Sequence, residues 1–177
     1  MDSPALLRDF CEAAARKLDK DRYQIERCCG LLDDRQLWTR ANAHCNSVGN
    51  LVLHLTGNVG QWILAGLAAE PFRRDRPAEF AERGPLQRSA LLGPFNDVVT
   101  RATRVIRRLE PAALRREYVI QAYRVSGLLA VFHVAEHFSF HTGQIVQITK
   151  ALRDVDLSLY DADGRPTWPG ADGRWPW

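Results

Sequence analysis

Three of the five histidines in this 177-residue chain recur at four-residue steps within one short segment. The segment is HVAEHFSFHTGQI, and the three residues are His133, His137 and His141. Side chains four residues apart lie on one face of an α-helix, so two neighbours in this series can hold the same metal ion. A third protein ligand then has to come from another part of the chain.

Four stretches of the sequence have the apolar spacing of long helices. They cover residues 3–32, 46–67, 93–110 and 126–153. The first is expected to begin with Ser3 as N-cap and Pro4 in the first helical position. The third is expected to begin near Gly93–Pro94, because proline is not tolerated deep inside a helix. Before the fourth, Tyr118 to Val125 is rich in β-branched and aromatic residues, which predicts an extended run.

The connections between these helices predict the architecture. Residues 70–88 form a long, charged connection with three prolines. Four helices with one long crossover, between the second and the third, indicate an all-α four-helix bundle. After Leu157 the helical pattern ends in turn signals and tryptophans. We therefore expect a bundle over residues 1–157 and an irregular C-terminal extension over residues 158–177.

The composition excludes several classes of protein. No apolar run approaches the roughly 18 residues that a membrane helix needs, and the N-terminus has no signal-peptide pattern. The four cysteines form neither a CxxC pair nor a disulfide framework, which predicts reduced thiols in the cytoplasm. Arginines are frequent between residues 101 and 116, but their spacing is that of a solvated helix face. No nucleic acid or membrane partner is expected.

The second predicted helix supplies a further histidine. At about 100° per residue, His54 lies on the flank of that helix's apolar stripe, from where it can face a bundle interior. Buried metal sites in bundles are built from side chains on facing helices. Three imidazoles with open positions are typical of a catalytic site, since a closed structural zinc site has four protein ligands. Without His54, the HxxxH pair would be an ordinary feature of an apolar core. Glu136 points about 100° away from His137, so the general base of HExxH zinc proteases is missing.

Two segments carry a resemblance to a known family. NSVGNLVLHLTGNVGQWI on the second helix and HVAEHFSFHTGQIVQITK on the fourth resemble elements of the DinB/YfiT superfamily of bacterial four-helix bundles. The first resembles that family's early histidine of helix two, and the second its HxxxH-x-GQ element. Arg74 and the residues 75–80 that follow it (RDRPAEF) resemble the signature of a subgroup. The resemblance spans roughly residues 5 to 155.

This resemblance implies that His54, His137 and His141 bind one divalent metal ion. Zinc or nickel is expected ahead of manganese or iron, although imidazole suits several of these metals. The resemblance further implies a metal-dependent enzyme that acts on a small molecule, either a transferase that uses a small-molecule thiol or a hydrolase. The alternative is a metal-binding stress or scaffold protein without turnover. An enclosed pocket at the metal, with polar groups converging on it, would favour the enzyme.

Four residues are candidates for supporting the ligands without touching the ion: His133, Asn50, Asn58 and Gln144. His133 suits such a role better than that of a ligand, because one ion is not expected to bind three histidines spread over eight residues. It is equally compatible with a hydrogen-bonded core histidine. The two asparagines bracket His54 and could orient its imidazole or a water, or could simply cap and bridge helices. Gln144 is expected to make a structural hydrogen bond.

Apolar residues occur nearly all round the fourth helix, including Leu129, Phe132 and Phe140. A helix that is apolar on every side is expected to be buried on every side, here by the bundle and by a partner subunit. The family resemblance also implies a dimer, because DinB-like proteins are commonly dimeric. We therefore expect a homodimer.

Overall fold

A computed structural model describes residues 4–171 of the chain. Its four long helices are α1 (Pro4–Leu31), α3 (Val48–Val59), α5 (Arg88–Arg107) and α7 (Gly127–Arg153). The shorter elements are α2 (Asp34–Leu37), α4 (Arg76–Ala81), α6 (Pro111–Arg115), β1 (Glu117–Ile120) and β2 (Tyr123–Ser126). The all-α four-helix bundle is confirmed, and the two-stranded sheet is a minor addition. Pro4 opens α1 as expected, whereas Ser3 lies outside the described residues.

Each long helix packs mainly against two of the other three. α1 packs against α5 and α7, and α3 packs against the same two helices. Their directions follow from hydrogen-bonded pairs: Asn96–Glu26, Arg107–Glu12, Ser139–Asp21, Arg153–Gln36, His54–His137 and Asn58–His133. These pairs make α1 and α7 parallel to each other and antiparallel to α3 and α5. Because α3 and α5 run in the same direction, the chain between them has to return along the bundle, which is why the crossover is long.

The second long helix does not end with α3. It continues as a π-helical segment, Gly60–Leu67, in which the backbone hydrogen bond from Ala68 reaches back five residues to Ile63. π-Helical turns are rare and frequently lie at functional sites. The crossover follows, and α4 lies within it, against α3. Asp75 caps α4 by accepting the backbone N–H of Ala78.

Two local expectations are wrong. Pro94 lies inside α5, which begins six residues earlier than that proline, at Arg88. Its missing N–H would pair with the carbonyl of Ala90, and both residues are exposed, so water can satisfy that oxygen. The extended run before α7 is a β-hairpin rather than one strand, because the chain reverses at Gln121, whose φ is +56°.

α7 is buried on one face only. Ala130, Val134 and Phe138 lie in the core, whereas Leu129, Phe132 and Phe140 are each more than half exposed. Within residues 4–171 no neighbouring helix covers this face, so the bundle alone does not bury it, and its burial by a partner subunit stays a prediction. Within residues 4–171, no helix combines the length and the apolar composition needed to cross a membrane.

Candidate metal centre

Three imidazoles meet between α3 and α7. His54 on α3 faces His137 and His141 on α7, and one nitrogen from each ring lies within 4.8 Å of the others. The closest pair is His54 Nε2 and His137 Nε2, 2.9 Å apart. His137 and His141 are one turn apart, with ring centroids separated by 4.5 Å and planes nearly perpendicular. The structure therefore brings together the three residues that the sequence nominates as ligands.

The environment keeps the α7 imidazoles neutral. Burial, followed by the charges of the other histidines, lowers the pKa of His137 to about 3. Burial also lowers the pKa of His141, although its hydrogen bond to Gln144 and the nearby Glu136 act in the opposite direction. A neutral imidazole has one nitrogen lone pair, and that lone pair is what a metal ion binds.

The crossover fixes the orientation of His54 from its other side. His54 Nδ1 lies 2.9 Å from Glu79 Oε2, and Arg74 donates to both oxygens of the same carboxylate. Burial raises the pKa of Glu79, but hydrogen bonds with His54 and Arg74 outweigh it and hold the pKa below the usual range. His54 Nδ1 has two neighbours that require opposite roles of it: Arg74 Nη2, 3.1 Å away, can only donate, whereas the ionised carboxylate of Glu79, 2.9 Å away, can only accept. We assign the proton to Nδ1 because the contact with the carboxylate is the shorter one. The lone pair of His54 is then on Nε2, directed at His137.

Close packing allows the crossover to reach this position. A Cβ atom at Gly57 would lie 1.9 Å from Glu79 Oε1 and 2.9 Å from Arg74 Nε, so only glycine leaves room for the ion pair. Asn50 holds the same segment by donating to the backbone carbonyls of Glu79 and Glu82, each at 2.9 Å. Asn50 therefore reaches the site through α4 rather than by contacting His54.

The other nominated residues lie beside the ligands. Gln144 Oε1 is 2.7 Å from His141 Nδ1, which leaves the Nε2 lone pair of His141 free in the same way as for His54. His133 packs against Trp62 at a tilt of 45°, with ring centroids 4.2 Å apart, and stacks on His137 at 5.3 Å. Asn58 Nδ2 lies 3.5 Å from His133 Nε2, and the buried Asn58 Oδ1 has no partner among residues 4–171.

A cleft of about 540 Å³ opens onto this cluster. His54, His133 and His137 lie along it, between a wall from the crossover and a wall from α7. A larger cleft of about 680 Å³ borders Gln144, His44 and Cys45, but none of the three clustered imidazoles lines it. The smaller cleft is therefore the one through which a molecule could approach the imidazoles.

The donor set fits a divalent transition metal ion. Nε2 of His54 and Nε2 of His141 are left as acceptors by the hydrogen bonds at their Nδ1 atoms, and both face His137. Neutral imidazole is a ligand that suits zinc, nickel and iron. Carboxylate and amide partners behind the rings are typical of metal-binding histidines, because they fix tautomer and orientation.

Two functional residues, Glu79 and Arg74, have no assigned role at the level of the sequence. Both belong to the RDRPAEF stretch, which resembles a family signature without indicating any contact. The usable signal was an acidic and a basic residue inside a connection that is too long to be a simple turn.

The fold and the site together define the class: this is a DinB-like four-helix bundle. It is similar to the crystal structure of a DinB-like protein from Bacillus cereus ATCC 10987, with a TM-score of 0.63 and 12% sequence identity. The similarity covers 81% of this chain and 90% of that one. Residues 6–161 match the family described as "Protein of unknown function (DUF1572)", and the chain belongs to that family. A search of curated proteins finds no match.

Proposed function

We propose that His54, His137 and His141 hold one divalent metal ion, with zinc or nickel ahead of manganese or iron. The observation that carries the proposal is the convergence of three imidazole nitrogens within 4.8 Å. Three protein ligands leave coordination positions open, as in catalytic rather than structural zinc sites. The pKa of His137, at about 3, supports the proposal because protons do not compete for this nitrogen near neutral pH.

We further propose that the protein is a metal-dependent enzyme acting on a small molecule, of the thiol-dependent transferase or hydrolase type. A bound divalent ion would supply Lewis acidity or bind a thiolate. The chain's own residues contribute a cleft of about 540 Å³ beside the ligands. Polar side chains, including Asn58, Gln121 and Glu136, line it together with apolar ones. Such a cleft favours turnover over a purely metal-binding role.

Metal analysis followed by zinc titration tests the metal site. The purified protein is expected to contain about one equivalent of metal, and the chelated protein should take up one zinc ion. His54→Ala should abolish tight binding, whereas His44→Ala should not alter it, because His44 is exposed and outside the cluster. A His54→Ala variant that binds zinc as tightly as wild type would disprove the site.

A thiol-conjugation screen of the metal-loaded protein, with hydrolase substrates in parallel, then tests the enzyme. Metal-dependent turnover in either assay supports it. If the protein binds metal tightly but shows no turnover in either, the result favours the non-catalytic metal-binding protein.

We propose that the protein forms a homodimer through the exposed face of α7. Outside the cleft beside the imidazoles, Phe140 is 59% exposed and lines a separate cleft with Ile148 and Leu152, and an apolar surface of this kind is typical of an interface. Light scattering should give twice the mass of the chain at micromolar concentration.

We also propose a cytoplasmic location, because Cys11, Cys28, Cys29 and Cys45 are all free thiols.

A further inference from the structure

The cleft beside the histidines has an aromatic lining. Trp62 packs against His133 and lies 6.2 Å from the ring of Tyr123, measured between centroids. On the α7 side, Leu129 and Phe132 line the same cleft, and both are more than half exposed. Exposed apolar side chains along a concave surface favour a ligand with an apolar or aromatic body.

The crossover wall of the cleft has an unpaired cation. The guanidinium of Arg76 lies over the ring of Phe80, 5.0 Å from its centroid, and Phe80 in turn packs on His54 at 4.8 Å. A single ring, that of Phe80, therefore separates Arg76 from the candidate ligand His54. No carboxylate within residues 4–171 pairs with it, in contrast to Arg74, which is paired with Glu79.

The α7 wall has an unpaired anion. Glu136 lies on the exposed side of α7 and lines the same cleft as Arg76. In the described part of the chain, Glu136 forms no ion pair, either with Arg76 or with another cation. It is close enough to His133 to raise that residue's pKa, against the larger lowering by burial. Two opposite charges thus face one cleft from different walls without neutralising each other.

We propose that the ligand of this cleft is a small zwitterion with an apolar body, of the class of α-amino acids and their side-chain derivatives. Arg76 receives the carboxylate, because a guanidinium presents paired donors to it. Glu136 receives the ammonium group, which the ring of Tyr123, 58% exposed, also favours. The apolar body lies along Phe132. This inference rests on the proposed function, since it assigns the substrate class of the same cleft.

Three probes with one aromatic body test the charges separately: phenylalanine, N-acetylphenylalanine and phenylalaninamide. Metal-free protein is used, so that the probes cannot bind through an ion. Binding is followed by NMR titration of the Trp62 indole N–H, which a Trp62→Phe variant identifies. Phenylalanine should bind tightest, by about two- to fivefold over each singly charged analogue, as expected for exposed ion pairs.

Each variant should remove one preference. Arg76→Ala should lower the affinity for phenylalanine to that for phenylalaninamide, because the carboxylate has lost its partner. The preference for phenylalanine over N-acetylphenylalanine should persist. Glu136→Gln should do the reverse. Arg73→Ala is the matched control, because this exposed arginine of the same connection does not line the cleft. It should change neither preference.

The inference is overturned if no probe shifts the Trp62 resonance, or if the singly charged analogues bind as tightly as phenylalanine. Zinc titration of the same variants separates this result from the metal proposal. Arg76→Ala and Glu136→Gln should keep the wild-type zinc stoichiometry. A wild type that binds no zinc but ranks the probes as expected would remove the proposed function and leave the zwitterion site.

Discussion

His54 is contacted from two sides by parts of the molecule that differ in structure and in chemistry. On its Nε2 side, α7 presents His137 and His141 as neutral imidazoles at regular helical spacing. On its Nδ1 side, the irregular crossover presents an ion pair, Glu79 and Arg74, whose side chains are only 8% and 5% exposed. The helices thus supply candidate ligands, and the crossover determines which nitrogen of His54 is available to an ion.

The contrast suggests that the two sides contribute unequally. A direct ligand contributes a coordination bond, whereas a partner behind the ligand contributes orientation and basicity. Changes to the crossover should therefore weaken metal binding in steps, while leaving some binding in place. Three experiments test this order.

Gly57→Ala should have the largest effect on the crossover side. The new methyl group would overlap with Glu79 and press on Arg74, so both have to move from His54. Metal affinity should fall by about 100-fold, the upper end for such partners, and overpacking should lower the free energy of unfolding by about 1–3 kcal/mol.

Gly143→Ala is the control for this substitution. Gly143 also lies in a helix near the histidines, but a Cβ there has open space. Its affinity should be unchanged, and stability should rise by up to about 1 kcal/mol from helix propensity. Calorimetric zinc titration and denaturant unfolding measure both quantities. Equal affinities for the two alanine variants would show that the crossover does not influence the ligand.

Glu79→Gln should have an intermediate effect. The amide keeps the shape of the carboxylate but removes the charge that orients His54 and neutralises Arg74. Zinc affinity should fall by about 10–100-fold. Glu82→Gln, in the same connection, should bind zinc like wild type, because among residues 4–171 the Glu82 side chain accepts only from the backbone of Arg83 and Gly84. If competition titrations give the same affinity for both variants, the ion pair is structural only.

His133→Ala should have a smaller effect on affinity. His133 stacks on His137 without joining the cluster of converging nitrogens, so its loss should weaken zinc binding by at most about tenfold. Competition with a chelator of known affinity measures the change. A loss of zinc affinity as large as that of His54→Ala would identify His133 as a ligand rather than a residue that supports the ligands.

A separate effect, on stability rather than on metal affinity, is expected in the metal-free protein and depends on pH. The pKa of His137 is lowered from 6.5 to about 3, so the unfolded chain binds a proton near pH 6.5 that the folded chain binds only near pH 3. The free energy of unfolding should therefore decrease as the pH falls through that interval. His137→Gln should show a shallower decrease in denaturant titrations across the same range. Parallel curves would mean that the α7 imidazoles are not held neutral by their surroundings.

The three candidate ligands on the helices could be predicted from the sequence, because side chains on one face of a helix recur at a regular spacing. The spacing of His137 and His141, and the position of His54 on its apolar stripe, follow from about 100° per residue. The crossover side has no such period. The contact of Glu79 with His54 depends on how α4 docks against α3, which involves the space at Gly57 and the bonds from Asn50.

The start of α5 was expected too late in the chain for a related reason. Pro94 argues locally against a helix, but Leu91 and Phe95 on either side of it are buried, and their packing outweighs the lost hydrogen bond. The π-helical continuation of α3 likewise has no signature in the apolar pattern. Tertiary packing decides both features.

The parallel pairing of α1 with α7 has a consequence for how the protein is made. Synthesis proceeds from the N-terminus at roughly 5–20 residues per second, so α1 waits for its last partner until nearly the whole chain has been translated. The same delay applies to His54, which precedes His137 by 83 positions. A nascent chain that ends before α7 offers a metal ion only one of the three candidate ligands, His54, and leaves one side of α1 uncovered. At the proposed site, an ion would therefore be acquired late in biogenesis, after α7 has been translated.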